Sequence, residues 1–272
     1  MSNDASRIRL PFQDAGFAAV IYTDAFTGLD ESKIEQAIAQ IAPHAKIEGW
    51  KKLKSQNGED DRLLTLDGWP TSVAFFNSPA PWVFQAPPRF SNYSKTEFDS
   101  IGKRHVCRVT SAVHELANSK TSAIAKCRAA TLIAKALSTI TPAIAAEWIG
   151  SGQFLIGNDL LKLGRNVHEP DGMEADFWVR QLIQQNSTGE RLVRIGTEGL
   201  HSFEMLEIEL NVNNLSLEQA MQDLSVVTDW ALRQVGAIEN GARITTDIVT
   251  YRLKMLVCGT LHRDPVFEMI AT

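Results

Sequence analysis

The stretch from Leu192 to Asn211, LVRIGTEGLHSFEMLEIELN, constrains this chain more than any other segment. It holds two β-patterned runs joined by a glycine-marked turn. From Met205 the residues alternate, so Leu206, Ile208 and Leu210 fall on one face of a strand and Glu207 and Glu209 on the other. One face is expected to enter a core and the other to meet water. Gly196 and Gly199 flank Thr197 and Glu198, which lets the backbone turn sharply or approach a neighbour where a side chain would clash. The turn is expected to present Glu198, His201 and Glu204 at the rim of a sheet.

A chain of 272 residues with 44% hydrophobic content can bury a large core, as two coupled halves or as one continuous domain. Residues 1–16 read as a polar leader, 17–164 as an N-terminal half, and 176–272 as a C-terminal half packed on the first. The net charge of −5 argues against a generic nucleic-acid binder, which needs a basic surface to displace phosphate counterions. It is compatible with a basic protein partner. Cys107, Cys127 and Cys258 are too scattered for a disulfide framework or a thiolate metal site, and they read as small buried hydrophobes. The N-terminus has no basic region followed by an apolar one, and no apolar run reaches the length of a membrane span. A cytoplasmic protein without a membrane partner is expected.

Taken in order, Phe17 to Tyr22 reads as a buried strand, and Asp30 caps a helix whose stripe is Ile34, Ala37, Ile38 and Ile41. Residues 44–68 read as a solvated connection, with Lys51, Lys52 and Lys54 offset by Glu59, Asp60 and Asp61. Thr71 to Asn77 is the next strand. It runs into SPAPWVFQAPP, whose prolines cannot extend a sheet interior and which carries Trp82 and Phe84. Aromatic residues on a stiff loop suit a partner interface, although they can equally tuck onto their own core. A strand over 105–112, a helix over 119–138 and a strand over 143–149 complete the first half. Its order of strands and helices is compatible with a ferredoxin-like arrangement.

The run Phe154 to Gly164 reads equally as a short helix or a strand with a turn, and residues 165–175 read as a polar linker. The second half opens with Phe177 to Gln184 as a strand, then the central stretch. Ser216 and Gln219 start a helix whose buried face includes Ala220, Leu224, Val227 and Ala231. Strands over 243–246 and 251–257 follow, and Pro265 precedes a short apolar tail. The fold class is α+β, with antiparallel sheets and a few packed helices.

Chemical signatures are sparse. There is no GxxxxGK[ST] loop, and Gly150-Ser151-Gly152 lacks the third glycine of a dinucleotide turn. No serine stands in a GxSxG elbow. The histidines form no HExxH pair and no zinc spacing, so neither metal nor cofactor is expected. Glu207 and Glu209 share a strand face, which is how two carboxylates can hold a cation or divide acid and base roles. Exposed strand charges explain them equally.

The run Gly196-Thr197-Glu198-Gly199-Leu200 with Phe203, Glu204, Glu207, Ile208 and Glu209 resembles the GTxGLxxFGxxEIE pattern of a large, uncharacterised bacterial family. Ala80-Pro81-Trp82 is similar to that family's APxPW-type strand end, and Ala146-Glu147-Trp148-Ile149-Gly150 to its YWG-like strand after a helix. Met205 and Leu206 depart from the corner residues of the pattern. The resemblance implies an α+β fold with no assigned catalytic residue. Members of this kind occur in toxin-immunity settings, which implies a cytosolic immunity protein for a cognate toxin or secreted effector with a basic surface. The candidate contacts are Trp82, Phe84, Glu198, His201, Glu204 and Glu207. The competing expectation is a metal-dependent hydrolase centred on Glu207, Glu209 and His201.

Overall fold

The computed structural model describes residues 17–25, 28, 30–52, 62–77, 93–113, 120–169, 172–185, 192–212, 215–234 and 237–272. Its first half runs β1 (Phe17–Thr23), α1 (Glu31–Ile41), β2 (Ile47–Lys52), β3 (Arg62–Leu66), β4 (Trp69–Asn77), α2 (Lys95–Arg104), β5 (Cys107–Val113), α3 (Lys120–Ile140), β6 (Ala143–Trp148) and β7 (Gln153–Ile156). After a 3-10 turn over Gly157–Lys162 come α4 (Ala175–Trp178), β8 (Arg180–Gln185), β9 (Leu192–Glu198), a second 3-10 turn over Leu200–Phe203, β10 (Glu207–Asn211), α5 (Leu217–Arg233), β11 (Arg243–Thr245), β12 (Thr250–Leu256) and β13 (Val266–Ala271). This is an α+β fold.

The first sheet has the order β2-β3-β4-β5-β1-β6-β7, with every neighbouring pair antiparallel. β1 is buried at every position because both faces of the sheet are covered. Phe17, Ala19 and Ile21 join the apolar layer of α1 and α3, while Val20 and Tyr22 join a smaller cluster with Phe98 and Ile101 of α2. A ferredoxin-like start would have four strands; here the β2–β3 hairpin and β7 extend the sheet to seven.

A hairpin and a helix of this half escaped the sequence reading. The connection over 44–68 is largely the β2–β3 hairpin: Leu64 and Leu66 are fully buried while Lys51 and Lys52 stay in solvent. Its charged outer strand masked the strand pattern. Helix α2 starts at a complete capping box, in which the Ser94 hydroxyl accepts from the Glu97 amide and the Glu97 carboxylate accepts from the Ser94 amide. That Ser-x-x-Glu spacing was legible. Asp30 caps α1 as expected, accepting from the Lys33 amide at 3.1 Å.

The second sheet has the order β11-β12-β13-β10-β9-β8, antiparallel except where β13 runs parallel to β10. The apolar tail after Pro265 is therefore an interior strand. Helix α5 covers one face through Ala220, Leu224, Val227 and Ala231. The strand expected from Phe177 begins only at Arg180, because Phe177 and Trp178 are both buried. Adjacent residues of a strand point to opposite faces, whereas the helical turn α4 directs both inward.

An aromatic seam joins the halves. Trp148 of β6 meets Phe177 with ring centroids 5.6 Å apart, and Trp178 meets Phe203 at 5.9 Å. The Trp178 indole donates to Thr131 Oγ1 of α3 at 2.8 Å, which satisfies its buried N–H. One apolar cluster runs through both halves. No disulfide forms among the described residues; Cys107 and Cys127 are buried as expected, but Cys258 is exposed because it lies in the loop after β12. No helix among the described residues is long and apolar enough to cross a membrane.

Candidate functional site

The central stretch forms β9, the second 3-10 turn and β10. Glu209 stands opposite Gly196, and Asn211 opposite Arg194. The chain leaves β9 through Gly199 at φ 124°, where an added Cβ would lie 2.7 Å from the Trp178 carbonyl oxygen and 2.9 Å from Ser151 Cβ. Only glycine allows this close approach of the β6–β7 turn. After the 3-10 turn, Glu204 takes a left-handed conformation at φ 59° and the chain enters β10.

Glu207 and Glu209 do not face water. Glu207 is 8% exposed and Glu209 is fully buried, which corrects the expectation of a solvent face. The cause is tertiary: the loop between β12 and β13 folds back over this face, and the corner after β9 closes on it.

Each oxygen of Glu207 is engaged. Oε1 accepts from the Gly199 amide at 2.8 Å, the His201 amide at 3.2 Å and His201 Nδ1 at 3.0 Å. Oε2 accepts from Thr197 Oγ1 at 2.7 Å, and that hydroxyl accepts in turn from the Ile208 amide at 2.8 Å. Burial pushes the Glu207 carboxyl up, but the His201, Thr197 and Gly199 donors outweigh it and hold the group below the usual carboxylate range. The hydrogen bond to Glu207 raises His201 above an ordinary histidine, against the opposing effect of burial.

Glu209 is held still more completely. Oε1 accepts from the Leu261 and His262 amides at 2.9 and 3.1 Å; Oε2 accepts from the Thr260 amide at 2.9 Å and Arg194 Nη1 at 2.7 Å. Three successive amides thus form a nest for one carboxylate. Burial would raise the Glu209 carboxyl, yet the Thr260 amide, Arg194 and the two following amides together lower it. Arg194 also reaches Glu268 at 3.1 Å, and His262 Nε2 donates to the Thr197 carbonyl at 2.7 Å, closing the loop onto β9. Gly259 is required here, since a Cβ would lie 2.3 Å from Glu209 Oε1.

The rim above this network carries Glu198, His201 and Glu204. Glu198 is paired with Arg180 and has a side chain 36% exposed; His201 is 35% exposed and Glu204 is open to solvent. The structure brings these three together with Glu207, which lies beneath them. Trp82 and Phe84 lie outside the described residues. Arg194, Thr197 and the 260–262 amides were not anticipated. Thr197 and Gly196 belong to the motif, so their importance was signalled, but the amide partners of Glu209 come from a loop 51 or more residues away.

With all four carboxylate oxygens accepting from protein donors, a cation at Glu207 or Glu209 would have to displace those donors. Among the described residues no group of three or more His, Cys, Asp or Glu side chains is arranged to hold a metal ion. No protein-family model, curated protein or solved structure matches the chain.

Proposed function

We propose that this chain acts by binding another protein rather than by catalysis, as a cytosolic immunity protein that occludes a cognate bacterial toxin or secreted effector. The observation that carries the reading is the contrast within one corner: Glu207 and Glu209 are wholly engaged in holding the backbone, while Glu198 and Glu204 remain at the surface above them. A rim fixed by buried hydrogen bonds is preorganised, so little ordering opposes association. Its negative charge matches the chain's net −5 and would steer a basic partner. The resemblance of the Gly196 to Glu209 run to a family found in toxin-immunity settings adds the class of partner.

The test is co-expression with the toxin encoded beside this gene, reading cell survival and complex formation. Wild-type protein should protect. Glu204→Arg, at an exposed position, should keep the fold and weaken the complex by about tenfold or more, chiefly through slower association at low salt. Unchanged affinity and protection in Glu204→Arg would remove the rim from the interface.

A further inference from the structure

The face of the second sheet turned away from α5 carries, at its far end from the acidic rim, a group of cations with no ion pair among the described residues. Arg243 of β11 stands directly opposite Arg252 of β12, and Lys254 follows two residues on, on the same face. All three are exposed. The neighbour of Arg252 on its other side is Ile270, and Glu268 opposite Lys254 is already engaged by Arg194. None of the three has an ion-pair partner among the described residues. Like charges directly opposite in an antiparallel pair are destabilising, so this arrangement costs the free protein stability.

β11 is also the last strand of its sheet, so its outer edge has no strand beside it among the described residues. Its side chains alternate: Arg243 and Thr245 face outward, and Ile244 points into the core.

We infer that this edge docks an extended acidic segment of a partner protein, which adds as a strand beside β11. An acidic side chain of the added strand would stand beside Arg243, within reach of the long Arg252 side chain of the next strand, and the apolar ones would lie on the side of Ile244. Backbone pairing would supply affinity and the alternate pockets specificity. Three cations on a chain of net −5 make few phosphate contacts, which favours a protein segment over a nucleic acid. This surface differs in sign and position from the acidic rim, so either can fail without the other.

The test uses a short fluorescent peptide alternating glutamate with valine, titrated with the full chain at low salt. Three comparisons accompany it: the same peptide N-methylated at alternate amides, an oligonucleotide of equal charge, and the variant Arg252→Glu. In that variant the new carboxylate faces Arg243, so the fold should be at least as stable while peptide affinity falls by about tenfold or more. Lys103→Glu, an exposed change on α2, should leave binding unaltered. Binding that is lost on N-methylation and in Arg252→Glu is the expected result. No binding by the wild type, equal binding by Arg252→Glu, no loss on N-methylation, or tighter binding of the oligonucleotide would each overturn the inference.

Discussion

Glu209 and Glu174 present the same local problem with opposite outcomes. Each is a buried carboxylate turned toward successive backbone amides: Glu209 accepts from those of residues 260–262, and Glu174 accepts from the Asn166 amide, with those of Arg165 and Val167 nearby. Glu209 is held below the usual carboxylate range, whereas burial pushes Glu174 up to about 7 despite its amides. Glu209 accepts from the Thr260 amide, the Arg194 guanidinium and two further amides; Glu174 has no ion pair within salt-bridge distance among the described residues, and Asp176 nearby adds repulsion. Three amides together with a guanidinium keep a buried carboxylate ionised, and weaker amide bonding without a cation in contact does not. The carboxylates beneath the rim stay ionised, whereas Glu174 changes charge near neutrality.

The largest effect should come from removing that guanidinium. Arg194→Leu leaves a fully buried charge without its cation, and urea unfolding at pH 7 should show a loss of about 3–5 kcal/mol. The same substitution should turn Glu209 into a group like Glu174, with its carboxyl raised. A loss below about 1 kcal/mol would mean that the amides alone suffice.

Glu174 tests the other side. Its folded carboxyl is raised from 4.5 to about 7, so the native state holds the proton more tightly than the unfolded one between those values. Stability from this group is full below pH 4.5 and falls as pH rises through 7. The difference corresponds to about 3 kcal/mol by the linkage relation. Glu174→Gln, which keeps an acceptor for the amides, should flatten that slope and be more stable than wild type at pH 8. Glu207 and Glu209 work with the reverse sign: their contribution is present above the ordinary 4.5 and is lost as pH falls through their lower folded values.

His201 should show the smallest change. Raised by its bond to Glu207, it contributes stability that is full below the ordinary 6.5 and is lost as pH rises through its folded value. With a third of the side chain in water, His201→Ala should cost about 1 kcal/mol or less at pH 6. A titration of its ring resonances with a midpoint at or below 6.5 would break the link between the rim and the network beneath it.

What could be read from the chain follows a physical rule. Local patterns reported local structure: the unbroken apolar run of β1, the Asp30 cap and the stripe of α1, and the glycine-marked turn between β9 and β10 depend on neighbours a few residues apart. The β2–β3 hairpin was hidden by its solvent-facing lysines, and α2 had its capping box in plain view. The rim residues Glu198, His201 and Glu204 were found because one turn carries them.

By itself the sequence determined the fold class, most elements, and the place of the corner, because periodicity and turn residues act over short range. Only the tertiary structure decided that the Glu207 and Glu209 face is interior. A strand pattern reports that two faces differ, but not what covers them, and here the covering loop and the guanidinium come from other elements. The same holds for β13, whose apolar run could not say that it would lie parallel to β10 in the middle of the sheet. Register and coverage are set by contacts between distant segments, and no local pattern encodes them.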